Sequence, residues 1–238
     1  MTEGAVRSGA TGDRDVAAVV VAGGSARRFG GVVPKQFLEL AGRPVWRRSV
    51  DAFLAHPQVC EVVLVHPEGW EAGGVPDGLR LVIGGDSRFA SMARGVQAAR
   101  SSTYVAVHDA ARPLVTNVEL NAVFAAARDV GAAVLARPVT GTTRYARAGR
   151  LAETVDRTSL HEMQTPQVAR RDWLTDAIRR VTDVAAMTDE AAVLQAAGYP
   201  VAVAEGSLRN LKITTPDDFA IAAALLSAST ADVRRDGD

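Results

Sequence analysis

Short apolar runs rich in valine and alanine recur along this chain, and segments with helical spacing separate them. Val19-Val20-Val21 and Val62 to Val65 read as buried strands, and Leu79 to Ile83, Tyr104 to Val107 and Ala132 to Val139 as three further strands. Between them, Trp46, Ser49, Val50 and Phe53 share one face of a helix that opens at Pro44 and stops before His56-Pro57. Ser87 caps a helix to about Arg100, and Thr116 caps another with a stripe of Leu120, Val123, Phe124 and Ala127. Strand and helix in regular alternation predict an α/β fold, a mostly parallel sheet with helices on both faces. The composition, 47% hydrophobic and poor in aromatics, suits strands buried on both faces.

The alternation breaks at Thr140. Residues 140–156 are polar and turn at Ala148-Gly149-Arg150, which predicts two exposed strands, a β-hairpin arm over about 139–160. Such an arm cannot bury itself and calls for a partner surface. Helices are expected at about 170–181 and 188–197, strands at Val201 to Ala204 and Leu211 to Ile213, and a last helix from Pro216 to about Ser227. Residues 1–15 read as a disordered leader and 16–230 as a single domain, and the chain should fray again from Arg234.

Charge excludes some classes. Lys plus Arg equals Asp plus Glu at 27 each, so no net field favours nucleic acid or a membrane surface. A single cysteine, Cys60, forbids an internal disulfide, and four scattered histidines lack metal-ligand spacing. With neither an apolar run of membrane-spanning length nor a signal-peptide pattern, a cytoplasmic location is expected.

The first strand runs into Ala22-Gly23-Gly24-Ser25, then Arg27, Arg28 and Lys35, with no acidic residue from Gly23 to Lys35. A small-residue turn bearing only positive charge suits a polyphosphate; otherwise it is a solvated basic loop. Neither the dinucleotide fingerprint nor the P-loop fits its spacing. Asp109 ends the fourth strand, where a carboxylate can hold Mg²⁺ beside a triphosphate or pair with Arg112. Gly84 to Ser91 is a second strand-to-helix turn, with Asp86 and Ser91 as polar edges for a base, or merely a capped turn. Ligands of parallel sheets sit beyond the carboxyl ends of strands, so these three segments are expected to converge on one site.

The first loop resembles that of Rossmann-like nucleotidyltransferases. Pro34-Lys35-Gln36, Gly85-Asp86-x-Arg88 and Val107 to Pro113 together resemble the 2-C-methyl-D-erythritol 4-phosphate cytidylyltransferases. So do Thr154 to Arg157, Gln164-Thr165-Pro166-Gln167, Thr188-Asp189-Glu190-Ala191 and Asn210 to Thr214, in the same order from about residue 17 to 225. The resemblance implies cytidylyl transfer from CTP to the methylerythritol phosphate, with Mg²⁺. Arg28 and Lys35 match the residues that stabilise charge on the CTP phosphates, and Arg157 and Lys212 those that position the acceptor phosphate. Ala22, Gly23, Gly24, Ser25, Gly85, Asp86, Ser91 and Ala110 match nucleotide-binding positions. Asp109, which matches the metal ligand, joins Arg112, Thr142 and Thr188 as substrate-side contacts. The resemblance also implies a homodimer in which the arm carries Thr142 and Arg157 to the partner's site.

Gly141 and Arg209 stand where the family commonly has aspartate, a charge difference near the acceptor. A ribitol-5-phosphate cytidylyltransferase, or another sugar- or polyol-phosphate nucleotidyltransferase, is therefore the alternative. A non-catalytic nucleotide-binding regulatory module is the rival outside enzymes; it has no need of Lys35, Asp109, Arg157 and Lys212 together. A nicotinamide-dependent dehydrogenase fails on glycine spacing and on His66-Pro67, which stands where an acidic ribose ligand belongs.

Overall fold

In the computed structural model, which describes residues 14–23, 34–71, 73–100 and 102–235, the apolar runs become strands of a seven-stranded sheet, buried except for the edge strand Leu79–Ile83. The elements are β1 (Val16–Val21), β2 (Glu39–Leu40), β3 (Arg43–Pro44), α1 (Val45–Leu54), β4 (Val59–His66), β5 (Leu79–Ile83), α2 (Arg88–Ala98), β6 (Tyr104–Asp109) and α3 (Asn117–Val130). Then come β7 (Ala132–Pro138), β8 (Arg144–Arg147), β9 (Arg150–Thr154), β10 (His161–Arg170), α4 (Arg171–Arg180), α5 (Glu190–Ala196), β11 (Ala202–Glu205) and α6 (Pro216–Arg235). The main sheet has the order β11-β7-β10-β6-β1-β4-β5, and only β10 runs against its neighbours.

Alternation along β1 shows why this sheet is covered twice. Val16, Ala18 and Val20 face a core built with Trp46, Val50 and Phe53 of α1 and with Leu120, Val123 and Phe124 of α3. Ala17, Val19 and Val21 face the opposite core, with Met92 and Val96 of α2, Leu174 and Ala177 of α4, and Val193 and Leu194 of α5. Successive side chains on a strand point to opposite faces, so a strand apolar at every position needs both layers.

Four points differ from expectation. Arg14 and Asp15, read as leader, are held: Arg14 donates to Val59 O, and Asp15 pairs with Arg128 and accepts from the Thr103 and Tyr104 amides. Leu211 to Ile213 is not a strand; among its backbone groups, the Ile213 amide bonds to Ala111 O. The antiparallel β10 was not foreseen. Its central stretch, Gln164-Thr165-Pro166-Gln167, is polar and contains proline, and pairing with β7 slips between Met163 and Gln167. The last helix also runs on to Arg235.

The arm forms as β8 and β9, paired only with each other and almost wholly exposed. No described helix is long and apolar enough to cross a membrane.

Candidate active site

Strand order reverses between β1 and β6: the chain proceeds from β1 outward to β4 and β5, then returns to the other side of β1. The carboxyl ends of β1 and β6 diverge into separate loops there, which opens a crevice. A cavity of about 440 Å³ fills it, within the range of ~300–1,000 Å³ usual for small-molecule sites. Its lining draws on all three segments: Ala22, Gly23 and Lys35; Asp86, Ser87 and Arg88; Asp109, Ala110 and Ala111, joined by Lys212.

Each wall is locally fixed. Gln36 Nε2 donates to Ala22 O at 2.6 Å, tying the turn that carries Lys35 to the end of β1. Phe37 beside it stacks on Trp70 with ring centroids 4.7 Å apart. Ser87 caps α2 by accepting from the Ala90 amide, so the positive end of that helix faces the cavity. Ser91 is fully buried, and its hydroxyl is engaged with Gly85, accepting from N at 3.1 Å and donating to O at 3.2 Å. A Cβ at Gly84 would lie 2.7 Å from that hydroxyl, and one at Gly23 would lie 3.1 Å from it. Ser91 thus acts on the site through the glycine turn rather than by reaching into the cavity.

Asp109 is the electrostatic centre. Lys212 Nζ lies 2.7 Å from Oδ2, and Arg88 Nη2 lies 3.2 Å from Oδ1. Burial alone would raise its pKa, but Arg88 and Lys212 outweigh that and hold the carboxyl well below the usual carboxylate range. Arg88 also binds Glu190, whose carboxyl burial pushes up despite that partner. The alternative reading, a pairing of Asp109 with Arg112, is replaced by this cluster. Arg112 is buried; it donates to Asn210 O at 2.7 Å and Met163 O at 3.3 Å, while its Nε has no partner among the described residues.

A chain of hydrogen bonds underlies the cluster. The Asp109 amide donates to Thr165 Oγ1 at 3.0 Å, and that hydroxyl meets His108 Nδ1 at 3.1 Å. His108 Nε2 lies 3.0 Å from Arg112 O, so the network assigns a neutral imidazole protonated on Nε2. Burial pushes this histidine down to about 4. Asn210, also fully buried, donates to Thr165 O at 2.9 Å and so fixes the segment leading to Lys212. Thr165 and Asn210 were legible only as parts of longer motifs; nothing in their residue type marks them as supports of the site.

The other expected residues lie elsewhere. Arg28, Gly24 and Ser25 are outside the described residues. Thr188 is exposed and does not line the cavity. Thr142 and Arg157 sit exposed on the arm, where Arg157 donates to Thr140 O. Gly85 shapes the wall through Ser91, and Ala110 lies in it directly. Lys212 also borders a second hollow of about 660 Å³, shared with Arg112, Arg137, Arg209 and Glu162.

No group of three or more His, Cys, Asp or Glu among the described residues could cage a metal. The ionised Asp109 in a cavity lined by Lys35, Arg88 and Lys212 instead fits an ion that arrives already bound to phosphates.

Comparison with known proteins agrees with this geometry. The model of the family "2-C-methyl-D-erythritol 4-phosphate cytidylyltransferase" matches residues 16–228. A protein of that description from Salinibacter ruber is 42% identical over 221 residues, covering 88% of this chain and 92% of that one. A bifunctional IspD/IspF enzyme from Rhodospirillum rubrum is 41% identical over 212 residues, covering 86% of this chain, which spans only 55% of that longer protein. The crystal structure of the cytidylyltransferase from Thermus thermophilus superimposes with a TM-score of 0.76 at 33% identity, covering 90% of this chain and 99% of that one. With the family model spanning nearly the whole described fold and four of the resembling motifs lining the β1–β6 crevice, this chain belongs to the 2-C-methyl-D-erythritol 4-phosphate cytidylyltransferase family.

Proposed function

We infer that this chain transfers the cytidylyl group of CTP to 2-C-methyl-D-erythritol 4-phosphate, releasing pyrophosphate and forming 4-diphosphocytidyl-2-C-methyl-D-erythritol. The observation that carries this reading is the cavity at the β1–β6 switch point, where Lys35, Arg88 and Lys212 share the lining with Asp86 and Asp109, in a chain of this family.

An oxygen of the acceptor phosphate attacks the α-phosphorus of CTP. A new P–O bond forms, the bond from the α-phosphorus to the α–β bridging oxygen breaks, and pyrophosphate leaves with that electron pair. A phosphate monoester has its second pKa near ~6, so the nucleophile is largely dianionic at neutral pH and needs no general base. The buried histidine agrees: both ring nitrogens of His108 are occupied. The barrier is repulsion between anions, and preorganised cations lower it. Lys35, with Arg28, acts on the nucleotide phosphates. Gly23, Gly85 and Asp86 border the nucleotide. Lys212 stands between the two hollows and meets the acceptor phosphate, with the cationic second hollow as the acceptor side. Asp109 would hold Mg²⁺, which would supply neutralising charge beside the triphosphate.

The exposed arm supports a homodimer in which Thr142 and Arg157 serve the partner's acceptor site. A cytoplasmic location accords with a chain whose described helices include no membrane span.

Pyrophosphate release is to be measured with CTP and Mg²⁺, offering methylerythritol phosphate and ribitol 5-phosphate separately. Release with the first alone is expected. Release with ribitol phosphate alone would assign Gly141 and Arg209 to a different acceptor, and release with neither would overturn the transfer reaction.

A further inference from the structure

Glu190 enters none of these steps, yet it is buried to 1% exposure beside the cavity. Its carboxylate takes Arg88 Nη1 at 2.8 Å and Nη2 at 3.3 Å. Arg88 turns its other edge to Asp109, with Nε at 3.3 Å and Nη2 at 3.2 Å from the same oxygen, Oδ1. Oδ2 is left to Lys212. Glu190 is itself held in place: Gln167 of β10 accepts from the Ala191 amide at 2.7 Å and donates to Asp189 at 3.0 Å.

A buried ion pair is a poor device for stability alone, since apolar side chains of similar volume serve as well or better. Its geometry has another use. An arginine facing one carboxylate tends to fork across both oxygens. Here Glu190 takes the Nη1–Nη2 edge, which fixes the Nε–Nη2 edge toward Asp109; both of its donors meet Oδ1, while Lys212 takes Oδ2.

We propose that Glu190 is a positioning residue for nucleotidyl transfer: through Arg88 it confines the arginine to Oδ1 of Asp109 and keeps Oδ2 turned toward Lys212. The proposal rests on the reaction inferred above. It explains why the Thr188-to-Ala191 motif belongs with the site although its exposed Thr188 lines no wall of the cavity.

The test is a double-mutant cycle on the full chain: wild type, Glu190→Gln, Lys212→Ala and the double variant, with kcat and both KM values for each. Glu190→Gln keeps the shape and removes the charge. Its kcat/KM for the acceptor phosphate should fall about tenfold to a hundredfold, as for other residues that orient a ligating group, while KM for CTP stays within about threefold. In the Lys212→Ala background the same change should cost less than about twofold, because no ammonium is left to place. Equal losses in both backgrounds, a loss confined to KM for CTP, or wild-type kinetics in Glu190→Gln would overturn the proposal. A wild type inactive with every acceptor would overturn the reaction itself, a distinct result. If Glu190→Gln lacks a cooperative melt, Arg88→Lys takes its place in the cycle. Lysine keeps the charge but cannot span two carboxylates, so it should show the same non-additivity, and additivity there overturns the proposal equally.

Discussion

The His108 imidazole lies under the site between Thr165 and the Arg112 carbonyl, fully buried and 5.1 Å from the ring of Phe53. A histidine at a strand end invites a catalytic reading, yet this one is consumed by architecture. Its pKa falls from 6.5 to about 4, chiefly by burial, so the folded protein refuses a proton that the unfolded chain accepts. Its contribution to stability is therefore complete above pH 6.5 and is lost as pH falls toward about 4, amounting to about 3 kcal/mol at ~1.4 kcal/mol per pH unit. Denaturant unfolding of wild type and His108→Gln across that window should show a shallower loss in the variant. Burial also lowers His56, so some slope persists. Equal slopes would mean that His108 is not the buried neutral group. Asp109 was legible because a carboxylate at a strand end is conspicuous in a sequence, Lys35 because it closes a loop bearing only positive charge, and Lys212 through its resembling motif alone. The Arg88–Glu190 pair was not, because it joins residues 102 positions apart and neither neighbourhood announces the other.

At the scale of elements, strands buried on both faces were legible because every position is apolar. β10 defeats that signal: Gln164, Thr165 and Gln167 are buried yet polar, each occupied by a hydrogen bond, Gln164 to Ser207 O, Thr165 to the Asp109 amide and Gln167 to the Ala191 amide. Proline in such a run argues against a central strand, so the sequence pointed the wrong way. Leu211 to Ile213 misled in the opposite sense, apolar because Ile213 packs with Leu40, Val45 and Ala222 rather than because it pairs. The seat of α2 on the sheet rests on Gly95. A Cβ there would lie 2.3 Å from Val19 Cγ1 and 2.7 Å from Val65 Cγ2. In an exposed helix Gly→Ala gains about 1 kcal/mol, but overpacking a core contact costs about 1–3 kcal/mol. Gly95→Ala should therefore lower the urea midpoint. It should also reduce turnover, because α2 carries Arg88 and Ser91. A raised midpoint would show that the helix can lift from β1 and β4 without loss.

The whole molecule poses a question that one chain does not answer by itself. The arm was legible from polarity and its Gly149 turn, and it projects with Tyr145 at 55% and Leu151 at 74% exposure. A two-stranded hairpin of this kind is at best marginally stable alone, which favours a surface to rest on. Arg157 sits on this projection rather than on the cavity wall, whereas Lys35 lies in the wall. If the arm serves its own site, every site needs both residues from one chain. If it serves the partner of a two-fold dimer, each site takes Lys35 from one chain and Arg157 from the other. The two cases separate cleanly when Lys35→Ala and Arg157→Ala chains, each inactive alone, are unfolded together and refolded as a mixture. In a mixed dimer one site inherits both substitutions and the other inherits neither. Service in trans therefore predicts that pyrophosphate release returns on mixing, and that sedimentation shows dimers throughout. Service in cis predicts no recovery at any mixing ratio, because each chain would still lack one residue of its own site. Recovery that disappears when residues 141–156 are replaced by a short glycine linker in both chains would trace the exchange to the arm itself.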